Sequence, residues 1–272
     1  VNFNISYTLL SCYKSCRKKC YLQYIKKVIH PDQVNQRPFI VGIVADWLFG
    51  KWVEGGYPPG WMEYKADGMF DWFSTKRKII YRNTDDKDKM KAKLRRAVHD
   101  LEVCASDADL QSKRFETQRK VAFEKDGFSF FGKLDMWFPD ERKIWDLKIT
   151  ENKKYLDPFQ LHFFAWLIEN STPHQVQGLA FFSPLMRPYF REVDWTEVEK
   201  HQLESDLYGL LDMIKNETTW DKTAKDCWGC PVQSWCEIEG EKVSEGKLMD
   251  GTLIFNLRDT EAESGSKLET DI

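Results

Sequence analysis

Two short strings decide how this chain is read: Gly132-Lys133-Leu134-Asp135 and, after ten intervening residues, Asp146-Leu147-Lys148. Each lies in a run rich in β-branched and aromatic residues, Phe128 to Phe138 and Lys143 to Ile149, and Pro139-Asp140-Glu141 separates the runs. That is a hairpin signal. Asp135 then falls late in one strand and Asp146 in the next, and a short hairpin brings their carboxylates together. Asp146 and Lys148 are two residues apart, so they point to the same face of the sheet. Two carboxylates helped by a main-chain carbonyl suit Mg²⁺ or Mn²⁺, hard ions that keep open positions for water and phosphate. The lysine can position the attacking water or help deprotonate it, and can stabilise charge developing on a phosphate. The same spacing also fits two exposed strand charges in a cross-strand salt bridge. The apolar flanks of Asp146, Ile144-Trp145 and Leu147, weigh against that, because a charge in such a strand is costly without a partner or a task.

Working outward, Lys125-Asp126-Gly127 marks a second hairpin to a strand over Phe115 to Glu124. Residues 6–28 read as one helix, with Leu9, Leu10, Tyr13, Cys16, Cys20 and Tyr24 at helical spacing. Pro31 and Pro38 bracket a loop. Residues 39–54 read as a buried helix presenting Phe39, Ile43, Trp47 and Val53, and Asp46 is a surprise within it. That aspartate fits either a buried group satisfied by hydrogen bonds or a third metal ligand. Gly55-Gly56, Pro58-Pro59 and Gly60 break the chain, and a charged helix follows from about Asp86 to Cys104. Downstream, a helix starts at Asp157-Pro158 and runs to about Asn170. Gln160 on its first turn could reach over the sheet edge to phosphate or metal-bound water, while His162 lies off that face and reads as structural. Gln175 to Phe182 and Pro188 to Val193 read as strands. Asp194 with Glu197 signals a capping box for a last helix to Lys215. The order predicts an α/β fold, a mixed sheet flanked by helices.

Composition excludes whole classes. Hydrophobic residues are 42% and charged residues 31% of 272, which is globular and neither collagen-like, mucin-like nor wholly disordered. No apolar run is long enough for a membrane helix, and no charged-then-apolar leader opens the chain, although it begins at Val1 rather than Met. The net charge of -3 is unevenly spread. Residues 241–272 carry eight acids and four bases, whereas residues 75–96 carry ten bases and three acids and residues 1–30 carry six bases and no acid. Local basic patches attract phosphate whatever the global charge, although such bases also line solvated helix faces. The acidic stretch beyond about Glu245 reads as disordered.

The seven cysteines cluster: Cys12, Cys16 and Cys20, then Cys104, then Cys227, Cys230 and Cys236 in a C-x2-C-x5-C pattern. An odd count argues against a disulfide framework and for a reducing compartment, where a tight cysteine cluster holds metal. Four thiolates hold zinc or an iron–sulfur cluster, and the triplet needs a fourth ligand from elsewhere.

Taken together these residues resemble the RecB-like branch of the PD-(D/E)XK nucleases. More narrowly they resemble its iron–sulfur members: CRISPR-associated RecB-like exonucleases, AddB-type subunits and related phage exonucleases. The matching order is Ser6 with Tyr13-x-x-Cys16, Gly42-x-x-x-Asp46, Gly132-Lys133-Leu134-Asp135, Asp146-Leu147-Lys148, Gln160-x-x-x-Phe164 and the cysteine triplet, over about residues 6–238. The resemblance implies a restriction-endonuclease-like core at 111–220, an N-terminal helical region at 1–110, an iron–sulfur cap at 221–240 and a tail at 241–272. It implies that Asp135, Asp146 and the Leu147 carbonyl ligate Mg²⁺ or Mn²⁺, that Lys148 and Gln160 are catalytic, and that Cys16, Cys227, Cys230 and Cys236 hold a [4Fe–4S] cluster. Cys12 and Cys20 stay open as substitutes for Cys16. Two departures stand out: Asp46 where the family has histidine, and Phe164 where it usually has tyrosine. The expected function is a metal-dependent DNA exonuclease of the cytoplasm acting on single strands or free ends, with a helicase or recombination partner compatible. Its rivals are a weakly active DNA-binding module of the same fold and a zinc-stabilised structural protein.

Overall fold

The computed structural model describes residues 4–27 and 39–224 and, beyond them, Cys230, Val232 and Cys236. Cys227 and the acidic tail lie outside the described residues. A six-stranded mixed sheet carries helices on both faces. Strand β1 is Asn4–Ile5, β2 is Glu116–Lys125, β3 is Phe128–Phe138, β4 is Lys143–Leu147, β5 is Gly178–Phe182 and β6 is Phe190–Val193. Antiparallel β2, β3 and β4 form a meander. Then β5 runs parallel to β4, β6 antiparallel to β5, and β1 pairs parallel with the start of β3. The Asp126-Gly127 turn has both residues at positive φ, the requirement of a tight two-residue hairpin.

Two apolar cores sandwich the sheet. One joins Phe130, Leu134, Trp137, Ile144, Leu179 and Phe181 to helices α1 (Tyr7–Ser15), α6 (Pro158–Ser171) and α7 (Glu197–Asn216). The other joins Met136, Phe138, Leu147 and Phe182 to α3 (Ile40–Gly55), α4 (Trp61–Lys76) and α5 (Thr84–Asp107). Residues alternate between faces along a strand, yet Leu134 and Met136, two apart, face opposite cores. The alternation of β3 therefore changes phase at Asp135. Gly132 is needed a little earlier: a Cβ there would meet Leu167 Cδ1 at 2.6 Å and the Phe164 ring at 3.1 Å. Its bare Cα lets α6 lie close over β3.

The helices follow their capping chemistry. Asp157 accepts from the Phe159 N–H with Pro158 in the first turn of α6, and Asn83 accepts from the Asp86 N–H to start α5. Helix α3 ends on Gly56 in the left-handed region. The capping box of α7 is built by Thr196 and Glu199, not Asp194 and Glu197. Strand β4 stops at Leu147 and β5 begins at Gly178, both shorter than their apolar runs.

Three further expectations are corrected. The single helix over 6–28 is broken: α1 ends where Cys16 turns extended (φ -162°), α2 covers only Arg17–Cys20, and a π-helical turn follows over Tyr21–Ile25. The buried face of α3 is Ile40, Val41, Val44, Ala45, Leu48, Phe49 and Trp52, and Phe39 is 63% exposed just outside it. Helix α4 occupies 16 residues between the Gly-Pro cluster and the charged helix, where the sequence pattern predicts no element. No helix among the described residues is long and apolar enough to cross a membrane.

Candidate active site

The site lies at the C-terminal end of β4, where β3, β4, α3 and α6 meet. Asp146 is 2% exposed on β4. One of its carboxylate oxygens accepts from Gln160 Nε2 at 2.9 Å and the other is paired with Lys148 Nζ at 2.6 Å. Lys148 Nζ in turn donates to Gln160 Oε1 at 2.9 Å, closing a three-membered ring of polar groups. Gln160 sits on the first turn of α6, which the Asp157–Pro158 start aims over the strand end. Asp146 and Lys148 both lie on the α6 side, sharing one face as their two-residue spacing predicts.

Asp135 stands at the phase change of β3. Its Oδ2 accepts from the Leu147 N–H at 2.9 Å, and its charge acts on the neighbouring Asp146. Asp46 reaches the same place from α3, on the opposite side of the sheet. Burial, then the charge of Asp135, pushes its carboxyl up to about 7. Asp146 is likewise pushed to about 7 by burial and by Asp135. Burial also raises Asp135, against the pull of Lys148 and the Leu147 N–H. Three carboxyls crowded together in low dielectric form a pool of negative charge that a divalent cation would relieve, and their hard oxygens have the donor chemistry of Mg²⁺ or Mn²⁺. Among the described residues, no three His, Cys, Asp or Glu side chains stand as a ready-made ligand cluster. The Gln118 amide lies between Asp46 and Asp135, 2.9 and 3.2 Å from the two Asp46 oxygens and 3.4 Å from Asp135. Gln118 was not singled out in the sequence, where it is one polar residue in a strand run.

The basic run is largely consumed within the fold. Lys87 and Lys91 pair with Asp71, Lys89 with Asp85, Arg95 with Asp67 and Arg96 with Glu151. Those bases line a solvated helix face. Lys93, with Gly42, Met90 and Ile149, borders a separate recess. His162 is structural, its Nε2 on the Asp194 carbonyl at 2.9 Å.

The cysteine region is the second place where distant residues converge. Tyr13 Oη and Arg17 both bind Glu217, Arg17 N–H donates to Thr223, and Lys18 N–H to the Asp221 carbonyl. The segment after α7 is thereby laid against α1 and α2. Burial pushes the Cys16 thiol up, but main-chain N–H groups of Lys19, Ala224, Thr223 and Lys18 outweigh it and hold Cys16 below the ordinary thiol value. Cys12 Sγ instead donates to Gln23 Oε1 at 3.5 Å and Cys20 Sγ to the Leu9 carbonyl at 3.8 Å, and the neighbouring Cys12 together with burial pushes Cys20 far up. Cys230 and Cys236 are half-buried, and the Cys236 N–H closes a turn on the buried Val232.

The family model for the PD-(D/E)XK nuclease superfamily matches residues 4–237. None of the curated proteins matches the chain. Among solved structures, a "Putative exonuclease" from Eubacterium rectale superposes with a TM-score of 0.54 over 91% of this chain and 90% of its own, at 14% identity. SSO0001 aligns over 74% of this chain and 95% of its own at 11% identity, and its TM-score of 0.32 is too low to carry an argument.

Proposed function

The chain belongs to the PD-(D/E)XK nuclease superfamily, and from that premise we propose that it is a divalent-metal-dependent DNA exonuclease whose two chain ends are clamped by a [4Fe–4S] cluster. The observation that carries the catalytic half is the ring of Asp146, Lys148 and Gln160 set beside Asp135 and Asp46. Asp46, Asp135, Asp146 and the Leu147 carbonyl would hold Mg²⁺ or Mn²⁺. A bound ion supplies the charge that acidifies a water and neutralises a phosphodiester oxygen. Lys148, paired with Asp146 and Gln160, would orient the water and face the charge developing on the phosphate. Gln160 fixes Lys148 and Asp146 relative to each other, so neither has to reorganise during the reaction. Phe164 packs on Gly132 rather than presenting a hydroxyl, so contact with the DNA backbone falls to other groups.

The cluster half rests on Cys16. Of the three N-terminal cysteines it has the main-chain N–H donors that stabilise a thiolate sulfur, and they come from both ends of the chain. Ligation by Cys16, Cys227, Cys230 and Cys236 would tie together segments more than 200 residues apart, where a cross-link restrains the unfolded chain most.

End-labelled single-stranded, double-stranded and circular DNA, each with Mg²⁺ or Mn²⁺ and with Asp146→Ala as control, test the reading. Digestion of both linear forms or of single strands, with circles intact, is expected. Cleaved circles would replace the exonuclease by an endonuclease, and binding without cleavage would favour a DNA-binding module. Iron analysis is expected to find about four irons per chain, whereas zinc in their place would overturn the cluster.

A further inference from the structure

Gln118 is the one residue of the long β2–β3 ladder whose backbone breaks rank. Its φ is +53°, a left-handed conformation that is unfavourable for a side-chain-bearing residue. No inserted residue accounts for it. The register reads Thr117↔Met136 on one side and Arg119↔Leu134 on the other, without a slip, so Gln118 stands opposite Asp135. The same point is where the alternation of β3 changes phase. The left-handed turn aims the Gln118 side chain into the gap between Asp135 and Asp46, 72 residues away on α3.

The chemistry of that gap is incomplete. Two carboxylates face one neutral amide, which offers hydrogen bonds through Nε2 where a positive charge would bind better. The other end of the amide, Oε1, is buried with no partner. A buried carbonyl oxygen left unsatisfied is itself costly. An amide differs from every other side chain here in having a donor end and an acceptor end of nearly the same shape, exchanged by rotation about its last torsion. The donor end suits the carboxylates alone, and the acceptor end suits a cation held between them.

We propose that Gln118 is a further metal-site residue: its NH₂ group bridges Asp46 and Asp135 as a neutral substitute for a cation, and its Oε1 turns to a divalent ion bound at those carboxylates, directly or through a bound water. This rests on the nuclease reading, since it needs the ion to bind there. Strain in β2 is retained because it holds the amide at the site. The Asp46 carboxylate accepts from the Gln118 NH₂, and the pair works as a unit.

The test measures Mn²⁺ binding to the full, iron-loaded chain without DNA, by the electron paramagnetic resonance of free Mn²⁺ after chelator treatment. Gln118→Leu keeps the size and loses both polar ends. Gln118→Gly also loses the amide but adopts positive φ without strain, so it stays foldable if the leucine variant does not. Asp135→Asn is the control for the site itself. Both Gln118 variants are expected to weaken Mn²⁺ binding by roughly 10-fold or more, the size seen when groups supporting a metal ligand are removed, and Gln118→Gly is expected to melt no lower than wild type. If Asp135→Asn abolishes binding while both Gln118 variants keep wild-type affinity within about twofold, the role of Gln118 is overturned and the nuclease reading stands. If wild type and Asp135→Asn bind Mn²⁺ equally or not at all, both fall together.

Discussion

The carboxylate site and the cysteine region are both built by convergence, but in different ways. At the carboxylate site the core parts are neighbours in sequence: β3, β4 and the first turn of α6 supply Asp135, Asp146, Lys148 and Gln160 within 26 residues. Sheet register fixes the first three, and one helix start fixes the fourth. At the cysteine region the parts are about 200 residues apart, and Tyr13, Arg17 and Lys18 must first capture Glu217, Asp221 and Thr223. A site made by register survives loss of a side chain because the backbone still places the rest. A site made by docking of two chain ends depends on each contact that closes it.

The largest effect expected from that contrast is functional and leaves the fold in place. Asp146→Ala should reduce nuclease turnover by about 10³-fold or more, because it frees Lys148 and Gln160 from their shared anchor. Far-ultraviolet circular dichroism should remain that of the wild type, since β4 keeps its ladder. Undiminished cleavage by a contaminant-free sample would refute the site.

At the other end, Cys16→Ala should lose iron and melt several degrees lower, whereas Cys12→Ala should keep its iron, because only Cys16 gathers N–H donors from both chain ends. Metal analysis and a thermal melt on the same samples decide it. Full iron in Cys16→Ala with loss in Cys20→Ala would move the ligand by one helical turn. Glu217→Gln sharpens the point: it should weaken the docking of Tyr13 and Arg17 and make the cluster more labile to chelator, while leaving DNA cleavage at saturating metal unchanged.

A smaller, purely structural effect is expected from Gly132→Ala. The added methyl meets Leu167 at 2.6 Å and the edge of Phe164, so α6 or its side chains must shift. Overpacking of this kind costs about 1–3 kcal/mol, read as a lowered melting temperature. Gln160 rides on the same helix, so turnover should fall with it. Unchanged melting would show that α6 yields freely.

A further effect concerns pH. In chelator, Asp46 and Asp146 titrate near 7 in the folded chain against about 3.8 unfolded. The folded state then holds more protons between those values, so stability should fall as pH rises from about 4 to about 7. A divalent ion should remove that decline by favouring the charged carboxylates. Asp46→Asn should flatten the slope in chelator, measured as melting temperature against pH. An equal slope in the variant would assign the titration to Asp135 and Asp146 alone.

Much of this protein was legible in its sequence because the determining patterns are local. Alternation and the Asp126-Gly127 turn mark the β2–β3–β4 meander, two-residue spacing puts Asp146 and Lys148 on one face, and Asp157-Pro158 starts the helix that carries Gln160. Those readings depend on backbone geometry over a few residues, which side-chain pattern reports directly. What the tertiary structure alone decided lies where distant segments meet. Nothing near Gln118 in the sequence signals a left-handed φ, because the amide that stabilises it binds a carboxylate 72 residues away. Nothing near Cys16 separates it from Cys12 and Cys20, because two of its N–H donors come from Thr223 and Ala224. The break in the first helix at Cys16 has the same origin: helical periodicity runs straight through it, and contacts with the far end of the chain override local preference.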